Sequence, residues 1–225
     1  MSVNTDFFDA IRAGSRIEVE RFLHLDPGLI RSTEKGLSPV LVAAYHLEPN
    51  LADFLADRKA ALDIFEAAAV GRITHIVRLL ARTPDLVNAC ADDGFQPLGL
   101  ACFFGHAESA EYLVRAGASL NTPSNNHLGA TPLQSAVAGN HVSIVKMLMK
   151  SGGNPNVREG GGFTPLHTAA SNGNPEIIQL LILSGADLHA QTSDGKIALD
   201  LAKARGHTQA VEILKREITK RFRNT

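Results

Sequence analysis

Apolar and polar residues alternate along this chain at helical spacing, and the pattern itself recurs about every 33 residues. Taking Pro165 of "TPLH" as position zero, the matching anchors are Asp6, Pro39, Asp63, Pro97, Pro132, Pro165 and Ala198, spaced 33, 24, 34, 35, 33 and 33. Four places after each anchor stands an alanine, from Ala10 through Ala101 and Ala169 to Ala202, so a larger side chain is excluded there. Apolar residues recur thirteen and sixteen places on, as Ile178 and Leu181 do after Pro165, and share one helical face. Eight places on come Gly14, Leu47, Gly71, Gly105, Asn140, Gly173 and Gly206, which suits a left-handed residue between two helices. Leu47 is the exception.

Each unit therefore predicts a short alanine-lined helix, a glycine turn, a second helix with an apolar stripe and a loop. Thr164 is placed to cap a first helix with Pro165 in its opening turn, where a missing N–H costs nothing, and "NPE" at 174–176 opens a second helix similarly. Two helices this short cannot bury both faces alone, but stacked units form a continuous core. The fold class is all-α, a solenoid of about seven helix-turn-helix units.

The stretch "GFTPLHTAASNGNPEIIQLLILSGADLHA" resembles the ankyrin repeat family along its whole length. "GATPLQSAVAGNHVSIVKMLMKSGGNPN" and "GFQPLGLACFFGHAESAEYLVRAGASLN" are similar almost as closely, and "DGKIALDLAKARGHTQAVEILK" resembles a terminal unit. The resemblance runs from about Asn4 to Lys220, giving one repeat domain over 4–220 and a tail over 221–225. Units one and three lack Thr-Pro and unit two lacks the turn glycine, yet all keep the alanine and the stripe. The polar surfaces of unit one (Asp6, Asp9, Arg12, Arg16) and unit seven (Lys203, Arg205, Gln209, Glu212, Lys215) predict a stack capped at both ends.

Two irregularities break the rule. The spacing of 24 from Pro39 to Asp63 is nine short, about the size of one inter-unit loop, and predicts a missing finger and a notch between units two and three. The spacing of 35 before Pro132 predicts a bulge in "NTPSNNHLGAT", which contains His127. In the family both would lie along the edge where binding loops are expected.

Charge narrows the partners. Lys and Arg total 22 against 23 Asp and Glu, a formal charge of -1, so no broad positive field grips nucleic acid or an anionic membrane. The locally basic run from Lys215 to Arg223 reads as a solvated helix end. No basic-then-apolar leader and no spanning apolar run is visible, and Cys90 and Cys102 make neither a disulfide framework nor a CxxC pair. These features point to a cytoplasmic, monomeric protein.

Reactive residues are dispersed. His106, His141 and His207 each stand nine places after an anchor, and repetition at equivalent places argues for a helix-start role. His24, His75 and His189 fall separately in the stack, without zinc-ligand spacing. Asp187 and His189 lie in a loop that other units fill with different residues, and Cys102 sits on a buried-type helix. "REGGGFTP" has neither the lysine of a phosphate-binding loop nor the strand before it. Neither catalytic residues nor a cofactor or metal site is expected. Family resemblance implies that His167, two places after its anchor, ties loop to helix; Phe65 occupies the corresponding place in unit three.

The resemblance also implies a concave binding face, contacted two places before and six and seven after each anchor. Tyr45, His46, Ala69, Val70, Phe95, Phe103, Phe104, Phe163, Asn172, Lys196 and Arg205 fall on those positions, and the loop bulge adds His127. Aromatics are only 5% of the chain, so five of them on one face mark an interaction surface. The alternative at each is packing beneath its own loop or between units. The expected function is a non-enzymatic protein-binding module, an adaptor, scaffold or inhibitor. The rivals are an enzyme or accessory protein with a site between repeats, and a secreted effector that binds a host protein.

Overall fold

The structure is a computed structural model that describes residues 3–223, with side chains to residue 220. Among the described residues are fourteen α-helices in seven antiparallel pairs, and the nearest approach to a sheet is one isolated bridge between Glu34 and Leu37. The first helices of the pairs are α1 (Val3–Arg12), α3 (Pro39–Tyr45), α5 (Ile64–Ala69), α7 (Pro97–Phe104), α9 (Pro132–Ala138), α11 (Pro165–Asn172) and α13 (Ala198–Ala204). The second helices are α2 (Arg16–Leu25), α4 (Pro49–Arg58), α6 (Ile73–Arg82), α8 (Ala107–Arg115), α10 (Val142–Lys150), α12 (Pro175–Leu183) and α14 (Thr208–Arg223). Each first helix packs on the next first helix and on its own second helix, so contacts run only to near neighbours. Since α14 is helical to Arg223, the backbone has no break at 220; the expected tail's side chains, Arg221 and Arg223 among them, lie outside the described residues.

The repeating alanine explains how the first helices come close. Ala43, Ala67, Ala101, Ala136, Ala169 and Ala202 are each 0% exposed, while Ala10 in unit one is half-buried. The apolar stripe turns into the same core: Val19, Ile76, Val145, Ile178 and Leu181 are fully enclosed. Eight places after each anchor the backbone is left-handed, and Leu47 is no exception, with φ +59° beside +62° at Asn140 and +68° at Gly71. The chain reversal needs that conformation whatever residue is present, at a cost of about 1–2 kcal/mol for one with a Cβ.

Unit three corrects the register. Asp63 is not its position zero but its cap: the carboxylate accepts from the N–H groups of Phe65 (2.9 Å) and Glu66 (2.8 Å), and α5 begins at Ile64. This first helix starts one residue late, so the counterpart of His167 is Glu66 and not Phe65. Glu66 is 0% exposed, accepts from the Asp63 N–H at 3.0 Å and pairs with Lys59 at 2.5 Å. Burial raises the Asp63 carboxyl above its usual range, and the neighbouring Glu66 charge adds to the rise.

The missing finger is also visible, since α4 and α5 are joined by residues 59–63 alone. The notch, however, is closed. A Cβ on Gly36, in the finger before unit two, would lie 2.9 Å from the Asp92 carboxylate in the finger before unit four. Tyr45 bridges the same gap, its hydroxyl donating to Asp93 Oδ2 at 2.6 Å. Further along, successive fingers are joined by backbone bonds from Asn125 N to Gly94 O, Gly160 N to Leu128 O and Ser193 N to Gly161 O, at 2.8, 2.6 and 2.8 Å. Without an intervening loop, the two flanking fingers close directly on each other.

Candidate functional site

The histidines nine places after the anchors join neighbouring units. His106 Nε2 donates to Ala69 O, His141 Nε2 to Phe103 O and His207 Nε2 to Ser171 O, each at 2.9 Å and each to the residue six places after the preceding anchor. The rings lie over the preceding turn glycine, and a Cβ on Gly71 or Gly105 would come within 2.4 Å of one. Glycine there is required twice, for the left-handed backbone and for room. Burial lowers the His106 pKa and favours the neutral imidazole, whose Nε2–H the carbonyl needs. In unit six Asn174 replaces the histidine, and Asn172 supplies the link by donating to Val137 O at 3.0 Å.

His167 joins its own helix start to the next finger. Its Nδ1 accepts from the Thr164 N–H at 3.1 Å and its Nε2 donates to Lys196 O at 3.1 Å. Gln134 has the same place in unit five, accepting from the Thr131 N–H at 2.9 Å and donating to Val157 O and Phe163 O at 3.2 Å. Such groups have assigned structural partners.

Four of the expected contact aromatics come together. Phe103 and Phe104 meet edge to face at 5.1 Å, Tyr45 lies 5.7 Å from Phe104, and Phe95 lies 6.4 Å from Tyr45. Tyr45, Phe95 and Phe104 pack partly against the core, whereas Phe103 is half-buried at the outer end of the cluster. Burial, then the bond to Asp93, raises the Tyr45 phenol far above its usual range, so it remains a donor. Phe163 is separate, packed on the Gly161 turn of its own finger and 5.8 Å from the His167 ring.

Beside Phe103 a groove of about 450 Å³ runs across units two to five, at the turn ends of the first helices. Ala44, Ala52, Ala69 and Val70 are buried along it, so they form its floor; Phe103 and Phe104 are half-buried on one side and Leu47 is 72% exposed on the other. Asp53, His106, Ala138 and His141 complete the parts that bear on chemistry. Unit three makes the depression, because Ala69 and Val70 stand where other units carry Tyr45 or Phe104.

The remaining expected contacts do not join this surface. His46 is exposed on the far side of Tyr45 in a separate depression with Arg12 and Glu34, and Lys196 and Arg205 are exposed in the last unit, three units from Phe103. His127 is exposed in the long loop, which is ordered by Asn126: its Oδ1 accepts from Leu128 N at 3.0 Å and its Nδ2 donates to Asp93 O at 2.8 Å. The contact positions expected from the sequence omit Leu47 and Asp53. The signal for Leu47 was its standing as the one residue other than Gly or Asn at a left-handed place.

Among the described residues no three His, Cys, Asp or Glu converge as metal ligands. Cys102 is fully buried and its thiol is pushed well above its usual range by that burial, while Cys90 is exposed. Near the end of α14, Lys215, Arg216 and Lys220 are exposed, and Glu217 pairs with Arg216 at 3.1 Å and Lys220 at 2.9 Å. No helix among the described residues is long and apolar enough to cross a membrane.

The family model "Ankyrin repeats" matches in three copies, at residues 64–159, 121–192 and 152–224. Two curated relatives, "Ankyrin repeat and SAM domain-containing protein 6" of Rattus norvegicus and of Mus musculus, are each 34% identical over 107 residues, or 48% of this chain. The chain spans 12% of the length of each.

Proposed function

This chain belongs to the ankyrin repeat family, and from that membership we propose that it is an adaptor, scaffold or inhibitor that holds a protein partner on its concave face. Ankyrin repeats are in general protein-protein interaction modules. The observation that carries the finer reading is the groove between Leu47 and the Phe103–Phe104 pair, an apolar depression crossing four units. Half-exposed aromatics beside a preformed hollow are what an interface anchor requires, because area is buried without reorganising the fold. Two unpaired cysteines support a cytoplasmic setting, and the charge balance supports a protein partner over nucleic acid.

Phe103 is the sharper residue to change, since Phe104 also packs against the core. Affinity capture with the wild-type chain, Phe103→Ser and Ala138→Lys, followed by mass spectrometry, tests the reading. Proteins retained by the wild type should be lost from both variants, with melting temperatures within about 3 °C of wild type. Equal recovery by all three overturns the concave-face assignment.

A further inference from the structure

Leu47 is anomalous in two ways. It adopts a left-handed backbone at φ +59°, where the other units use glycine or asparagine, and its side chain is 72% exposed. The strain gains no core burial. Strained residues persist where the surrounding structure holds them, and they cluster at binding surfaces. Leu47 projects from the lip of the groove opposite Phe103, so the strained backbone places apolar surface where a partner would meet it.

At this lip carboxylates outnumber cations by two to one. Asp53 lines the groove and Asp57 lies one turn further along α4, and they share a single guanidinium, Arg72, at 3.1 and 2.8 Å. Glu48, next to Leu47, is turned back over Gly14 of unit one and leaves the lip to these two. No Lys or Arg stands among the described residues that line the groove. Its other titratable groups are His106 and His141, whose Nε2 atoms are engaged by the carbonyls of Ala69 and Phe103. The lip is therefore short of positive charge beside an apolar hollow.

We propose that the occupant is a peptide segment of a protein partner that presents one large apolar side chain with a lysine or arginine within a few residues of it. The apolar group sits between Leu47 and Phe103 over Val70, and the cation meets Asp53 and Asp57. This rests on the concave-face reading and adds the occupant's chemistry. A cation at the lip gives the two carboxylates a second partner beside Arg72, and the partner's apolar group covers the exposed Leu47.

The test is a random-peptide display selection on the full chain, with selected peptides titrated against variants. The expected consensus pairs a large apolar residue with a nearby Lys or Arg. Leu47→Gly, and Leu47→Asn after the residue used in unit five, should weaken those peptides about tenfold while raising the melting temperature, because each relieves the backbone. Asp53→Asn with Asp57→Asn should weaken them about threefold and flatten their salt dependence. An acidic or charge-indifferent consensus overturns the inference, as does undiminished binding to Leu47→Gly. Peptides that survive Phe103→Ser and Ala138→Lys bind elsewhere and overturn the concave-face reading itself. Failure to select any peptide blocked by Ala138→Lys overturns the inference too.

Discussion

Unit six and unit three perform the same folding task with different chemistry. In unit six a neutral imidazole closes the helix start and reaches forward, from Thr164 through His167 to Lys196 O in the next finger. In unit three a carboxylate occupies that place and reaches backward, from the Asp63 N–H through Glu66 to Lys59 in the shortened connection. Unit six has a finger on either side; unit three has none before it. Where the finger is lost, its backbone groups are lost as partners, and an ion pair between buried Glu66 and partly exposed Lys59 takes over the second valence of the cap. The two solutions differ in what happens when they are broken, because a partly buried ammonium left without its carboxylate costs more than an orphaned carbonyl.

The largest effect expected is at Glu66. Glu66→Ala should destabilise the chain by about 3 kcal/mol in urea unfolding, since it strands Lys59 and the Asp63 N–H. His167→Ala should cost about 1–2 kcal/mol, the loss of neutral hydrogen bonds. If Glu66→Ala proves no worse than His167→Ala, the distinction between the units fails. Tyr45→Phe is expected to come next. Removing the hydroxyl that joins Asp93 across the missing finger should cost about 1–2 kcal/mol and speed amide exchange at Phe95, whose N–H also bonds to Asp93. Unchanged exchange there would show that the two fingers close without it.

The smallest effect belongs to a finger of the regular region. Burial raises the Glu159 pKa to about 6, above its unfolded value, so the folded state binds the extra proton between roughly pH 4.5 and 6. Its favourable contribution is complete below that window and is lost as pH rises through 6. Glu159→Gln should therefore raise the melting temperature by about 1–2 °C at pH 7.5 and leave it unchanged near pH 4.5. An equal shift at both pH values would remove the ionisation from the account.

Much of the fold was legible because the repeat samples one structural problem many times. The alanine column reported a close helix approach, and the glycine column reported a left-handed link, because each requirement is local and recurs. The histidine column was readable as a structural role for the same reason, although not the direction of its bond to the preceding unit. Phe65 misled because α5 starts one residue late, a slip that leaves Ala67 and Gly71 in register and moves only the cap. Tyr45, Phe95, Phe103 and Phe104, expected on the contact face from the family's contact positions, lie together in one cluster, of which Phe103 and Phe104 line the groove. Phe163 and Asn172 occupy equivalent positions but serve their own finger and the unit interface.

By itself the sequence determined the all-α repeat, the helix pairs, the buried alanines and the loss of one finger, since those follow from periodicity, small residues and chain length between anchors. Only the tertiary structure decided what the lost finger becomes. Closure of the finger of Gly36 on Asp92 depends on a contact 56 positions apart in the chain, and no local pattern encodes it. The hollow beside Leu47 is likewise a difference in side-chain height between units two, three and four, which exists only once the units are stacked.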